Sequence, residues 1–191
     1  MSPKKKPEIV VSTSRAYAGV GSRHITGDEA KLIENLARLL SERNYVVYSG
    51  NADGADAAFQ RGSNEKCLIM LPWKGFNKDV YDYNKSLDHF IFDDSDKQAM
   101  DSIKQFHPNP GAILKKRGIA SLMGRNFHQI FGYWPWPTVD FVLCCADEDS
   151  SGNILGGTGQ ACRIAKDHKI PVINIRNKSW KRELKWLLYS E

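Results

Sequence analysis

YVVYSGNADGADAAF, residues 45–59, joins an apolar run to a turn carrying two glycines and two aspartates, and then to an alanine-rich segment. The run Tyr45–Ser49 reads as a strand buried on both faces, and Ala55–Arg61 as a short helix stopped by Gly62. A glycine turn between strand and helix is where a doubly wound α/β sheet receives a phosphate, because backbone amides can approach the ligand there. Asp53 and Asp56 place carboxylates at that turn. Phosphate is the group a carboxylate repels.

The same rhythm extends in both directions. YAGVG (17–21) closes a first strand that begins near Ile9. Thr26 and Glu29 form a T-x-x-E capping box, and the apolar residues Leu32, Ile33, Leu36, Ala37, Leu39 and Leu40 mark one face of a helix to about Arg43. CLIMLP (67–72) reads as a third strand, VDFVLCCA (139–146) as a fourth and IPVINI (170–175) as a fifth. Helices are expected at Thr158–His168 and after Ser179, with Trp180, Leu184, Leu187 and Leu188 on one side of the last. Apolar strands alternating with helices predict a parallel sheet covered on both faces. Right-handed crossovers give a Rossmann-like doubly wound sheet of about five strands in the order 3-2-1-4-5, its cleft beyond the carboxyl ends of strands one and four.

The chain of 191 residues is 41% hydrophobic and 26% charged, which suits one compact domain with its own core. That length leaves no room for a second sizeable domain. No apolar run is long enough to cross a bilayer, and MSPKKKPEIVV lacks the pattern of a signal peptide. Residues 1–8 read as a flexible basic tail. The net charge of +5 and pI near 9.0 permit anionic partners. Lys4, Lys5 and Lys6 supply over half the excess, and the other lysines are scattered. Cys67, Cys144, Cys145 and Cys162 form no CxxC, and no histidine pair has zinc spacing, so neither metal nor cofactor is expected. Unpaired buried thiols point to a cytoplasmic protein.

Three loops at the predicted strand ends carry the candidate site: GVGSR (19–23), SGNADGAD (49–56) and ADEDSSGNILGGTGQ (146–160). Gly156, Gly157, Thr158 and Gly159, directly before a helix, form the best phosphate cradle, with Gln160 following and a hydroxyl on Thr158. Gly21, Ser22 and Arg23 would share the phosphate, although Arg23 also suits an ordinary surface position. Ser49, Gly50, Asp53 and Asp56 would hold sugar, since carboxylates accept hydrogen bonds from ribose hydroxyls. Asp53 is equally a candidate helix N-cap.

Residues 73–138 break the strand–helix rhythm and are expected to form a helical insertion over the cleft, with one long helix from about Ala112 to Phe131. Asn126 falls inside its apolar stripe. Either it hydrogen-bonds a loop backbone such as HPNP, or Arg125, Asn126 and Gln129 face the cleft. Trp73 could stack on a base or pack in the core. His107, before Pro108, could donate to a ligand or stand exposed in its loop.

GSR, SGNADGADAAF and GGTGQA together resemble the SLOG superfamily of Rossmann-like proteins. The first two motifs resemble the branch of the DNA-processing protein A, and the third is similar to the PGGxGTxxE signature of the lonely-guy phosphoribohydrolases. HPNP and GRNFHQIFG are similar to small bacteriophage members. The resemblance implies a nucleotide site, frequent homo-oligomers and, in one branch, single-stranded DNA binding. Against the hydrolase signature, Arg163 stands where the glutamate would be and Gln160 where the second threonine would be, so a glycosidase would need Asp53, Asp56, Asp147 or Glu148 instead. The expected function is capture of a small nucleotide-derived ligand, as a sensor or by sequestration, in a bacterial or phage-infected cell. The alternative is an N-glycosidase of nucleoside 5′-monophosphates. Nucleic acid is possible but not favoured, because no basic–aromatic path is visible along the chain. A membrane partner is not expected.

Overall fold

A computed structural model describes residues 15–189. The basic tail and the start of the first strand near Ile9 lie outside those residues. The strands are β1 (Arg15–Gly21), β2 (Tyr45–Ser49), β3 (Cys67–Leu71), β4 (Asp88–Ile91), β5 (Phe141–Cys145) and β6 (Val172–Asn174). They form one parallel sheet in the order β4-β3-β2-β1-β5-β6. The five strands read from sequence are present in their expected order. The sixth, β4, comes from within the insertion and extends the sheet beyond β3. It is four residues long and sits at an edge, so its alternation is too brief to stand out beside the acidic FDDSD stretch.

Two apolar layers follow from the strand period of two. Tyr17, Tyr45, Val47, Phe141 and Leu143 point into one layer. Helices α1 (Gly27–Glu42), α2 (Ala55–Gly62) and α7 (Trp180–Tyr189) cover it. Ala16, Ala18, Val46, Tyr48, Val142 and Cys144 point into the other. That face is covered by α5 (Arg117–Phe131), through Ile130, and by α6 (Gly156–Asp167), through Ala161, Ile164 and Ala165. Both halves of the capping box at α1 are made: Glu29 N–H donates to Thr26 Oγ1, and Thr26 N–H to Glu29 Oε2. A cap of this kind contributes about 1 kcal/mol.

The insertion also holds α3 (Lys97–Phe106) and α4 (Pro110–Leu114). The single helix expected over 112–131 is therefore two. Lys116 leaves the helical region at φ −119° and ψ 90°, which separates α4 from α5. Asn109 of HPNP starts α4 as its N-cap, accepting from Ala112 N–H, with Pro110 in the first turn. Gly124 lets Phe92, just past β4, press against α5; a β-carbon there would collide with the Phe92 ring. His128 on α5 lies 4.3 Å from the Phe90 ring of β4 and hydrogen-bonds Asp96 Oδ2 at 2.8 Å. The edge strand thus fixes α5 over the ends of β1, β2 and β3. No helix among the described residues is long and apolar enough to cross a membrane.

Candidate nucleic-acid interface at the strand ends

β1 ends at Gly21, level with Cys145, the last residue of β5. Between these two strands the winding reverses, so the loops after β1, β2 and β5 leave the sheet side by side. Glycines allow them to touch. A β-carbon on Gly21 would lie 2.5 Å from Cys145 O, and one on Gly54 would collide with the carbonyl oxygens of Ser22 and Arg23. Gly54 also has φ +74°, a conformation that suits glycine. Ser22 N–H donates to Cys145 O at 2.8 Å and Ala55 N–H to Ser22 O at 3.0 Å, tying the three loops into one rim.

Asp56 answers the puzzle of the carboxylate. It is buried, and its Oδ2 accepts from Gly50 N–H at 3.1 Å and Ala52 N–H at 3.4 Å, folding its own loop back on itself. Arg125 of α5 reaches across the mouth of that loop, with Nη1 3.8 Å from Asp56 Oδ2 and 3.1 Å from Met70 O, to which it donates. Its guanidinium fills the space above Gly50, where a β-carbon would coincide with Nη1. Burial pushes the Asp56 carboxyl up, opposed by Arg125 and the two amides. Burial likewise lowers Arg125, opposed by Asp56. Each charge is tolerable because the other is there.

The loop after β5 behaves differently. Asp149 accepts from Ser151 N–H and Asn153 N–H, each at 2.9 Å, and Leu155 N–H donates to Asp147 O, so a small turn forms below α6. Above it α6 opens with Leu155 as N-cap and no side-chain cap. The amides of Gly156, Gly157 and Thr158 therefore occupy the part of a helix that has no intrahelical partner. Asn126 is the strut between α5 and this helix, its Nδ2 donating to Gly157 O at 3.2 Å and Gln160 Oε1 at 3.1 Å. Arg176 braces the base, reaching Glu29 Oε1 at 2.7 Å and Asp147 Oδ1 at 2.6 Å.

Together these elements enclose a cleft of about 390 Å³. Of the residues expected at the site, Gly21, Ser22, Arg23, Asp56, Arg125, Asn126, Gly156, Gly157 and Thr158 line it, and so does Gln129. Ser49, Gly50, Gly159 and Gln160 do not. Ser49 is buried with its hydroxyl toward Asp56 O, Gly50 lies beneath Arg125, and Gly159 is packed against Ile154 O. Gln160 is the buried acceptor for Asn126. Asp53 is exposed on the turn and is not the N-cap of α2, which is Gly54. Trp73 lines a separate groove. His107 is engaged in its own turn, its Nδ1 accepting from Asn109 N–H at 3.0 Å. His24, Leu122, Met123 and Asp147 also line the cleft. His24 follows GSR directly, and Leu122 and Met123 lie one turn before Arg125 and Asn126, so helical spacing from those two was the signal for them.

The family model described as DNA recombination-mediator protein A matches residues 6–85, which include the first two loops of the rim. The match falls on the two motifs likened to the DNA-processing branch of the SLOG superfamily and supports the resemblance over those residues. Among solved structures, the chain is similar to DNA processing protein A from Helicobacter pylori, described for its single-stranded DNA binding mode: 20% identity, TM-score 0.57, covering 86% of this chain and 66% of that one. It is also similar to DNA processing protein A from Streptococcus pneumoniae, at 17% identity and TM-score 0.49, covering 86% of this chain and 50% of that one. The chain therefore spans about two thirds and half of the length of these two proteins and shares the fold of the first. No curated protein matches it.

These matches correct two expectations. A small nucleotide-derived ligand, captured or cleaved, is displaced as the leading function, and nucleic acid becomes the indicated partner class instead of a disfavoured one. The structure supplies physical reasons. Of the four carboxylates considered for hydrolysis, Asp53 and Glu148 lie outside the cleft lining. Asp56 is committed to loop amides and Asp147 to Arg176. Basic and aromatic residues that are far apart along the chain, Trp73 and Arg117, meet in one groove, which a linear scan could not show.

Proposed function

We propose that this chain binds single-stranded DNA in DNA processing, in the cytoplasm, with the strand-end cleft taking one nucleotide unit of the backbone. Arg23 and the amides of Gly156, Gly157 and Thr158 would receive the phosphate, while the Ser22 hydroxyl holds its own loop, donating to His24 O at 3.0 Å. The chain would work as one unit, with segment 73–138 supplying α5 as the far wall. The observation that carries this reading is the meeting of exposed Arg23 with the uncapped N-terminus of α6 across a single cleft. A helix N-terminus favours an anion, and arginine pairs with phosphate oxygens. The family match and the solved neighbour support DNA as the source of that phosphate. Contacts of this kind fix the strand without reading its bases, so binding should be tolerant of sequence.

The test is fluorescence anisotropy with a labelled oligothymidylate over a series of salt concentrations. Affinity is expected to fall steeply with salt, and Arg23→Ala to weaken binding and reduce the slope of log K against log salt by about one. Absence of binding at low salt, or an unchanged slope in the variant, would overturn the proposal.

A further inference from the structure

We propose a second nucleotide subsite, on the other side of α5, where the indole of Trp73 stacks on a base of the strand leaving the cleft; this rests on the DNA-binding reading above. The groove there has a volume of about 480 Å³; Trp73, Lys74, Arg117, Gly118 and Ser121 line it, with Asp93 and Asp94 just past the end of β4. One helix serves both hollows. Leu122, Met123 and Asn126 of α5 face the cleft, while Arg117, Gly118 and Ser121, one turn and more toward its start, face the groove.

A row of side-chain contacts links the two hollows. Arg125, in the cleft, has its guanidinium carbon 5.9 Å from the centre of the Phe76 ring. Phe76 in turn meets Trp73 edge to face at 5.0 Å. Phe76 is buried and fixes the indole, which remains 41% exposed. Gly118 keeps space beside it: a β-carbon there would have only Trp73 Cζ3 within reach, at 3.9 Å.

Charge selects the occupant. Lys74, Lys78, Lys115, Lys116 and Arg117 are all exposed on the segments that carry the groove. Against them stand Asp79, Asp93 and Asp94 on the same segments: Asp94 Oδ2 lies 3.1 Å from Arg117 Nε, Asp93 Oδ1 accepts from Ser95 N–H at 2.9 Å, and the balance of charge there remains positive. Exposed pairs such as Arg117–Asp94 are weak, so Arg117 is free to exchange its carboxylate for a phosphate. A cationic surface beside an exposed aromatic face is how proteins hold single strands without regard to sequence, by phosphate neutralisation and base stacking. A duplex keeps its bases stacked internally and does not offer a face to the indole.

The experiment compares Trp73→Ala, Trp73→Phe and Arg23→Ala with the wild-type chain, using anisotropy with an oligothymidylate of about ten nucleotides. Trp73→Ala is expected to weaken binding about tenfold, and Trp73→Phe, which keeps a ring, much less. DNA should quench indole emission in the wild type by a component missing from Trp73→Phe. Equal thermal unfolding of the variants would show that the loss is one of contact. If Trp73→Ala binds within about twofold of wild type while Arg23→Ala is impaired, the subsite is wrong and the cleft reading stands. If the wild type binds no single strand, both fall.

Discussion

The loops after β2 and after β5 are built from similar residues, rich in glycine, asparagine and aspartate, and each opens a helix. One is shut and the other open. In the loop after β2, Asp56 gathers the amides of Gly50 and Ala52, and Arg125 covers the turn. The carboxylate and the amides it gathers are turned toward each other. In the loop after β5, the organising carboxylate, Asp149, lies before the glycines and folds only the lower part. The helix start above it keeps its amides unclaimed. Glycine composition alone therefore does not identify a phosphate cradle. The position of the acid relative to the glycines decides whether the amides are consumed internally or presented.

This contrast can be broken most forcefully at Asp56. Asp56→Ala would leave Arg125 buried without its counter-charge and is expected to destabilise the fold by about 3–5 kcal/mol in urea unfolding. A loss under about 1 kcal/mol would mean that the closed loop does not depend on the pair. Next in size is Gly54→Ala, which combines a left-handed backbone with a collision against the Ser22 and Arg23 carbonyls; more than about 1 kcal/mol should be lost.

The open loop is braced by surface charge, so acid should reach it. The Arg176 guanidinium, hydrogen-bonded to Glu29, holds that carboxyl at about 2. A carboxylate depressed in the folded state contributes stability that is complete above its unfolded value near 4.5 and is lost as pH falls toward 2. The contribution of this partly buried pair is expected to be about 1 kcal/mol, and Arg176→Ala should flatten that part of a stability–pH profile. The smallest effect on folding is predicted for Gly157→Ala. Its new methyl would meet only the flexible end of Met123, at 3.0 Å, so stability should stay within about 0.5 kcal/mol of wild type. DNA affinity should nevertheless fall, because the methyl enters the cleft. A large loss of stability with unchanged binding would reverse the comparison.

Much of this was legible along the chain. Continuous apolar runs located five strands, because a central parallel strand is buried on both faces. Thr26 and Glu29 announced the start of α1, because a capping box is satisfied within four residues. The strand-end loops were found because the turn from strand to helix is local chemistry. Asn126, a polar residue within an apolar helical stripe, was noticed because a buried amide needs a partner. That its partner is Gly157 O and not HPNP was not visible.

What sequence alone determined here is whatever depends on neighbours in the chain: the periods of strands and helices, their caps, and the glycine turns that end β1, β2 and β5. Tertiary structure alone decided what depends on charges and rings brought together from distant segments. It set Arg125 over Asp56, which closed one loop, and left the start of α6 uncovered, which opened another. It placed Trp73 beside Arg117. Desolvation and Coulomb attraction act through space, so no spacing along the chain records them.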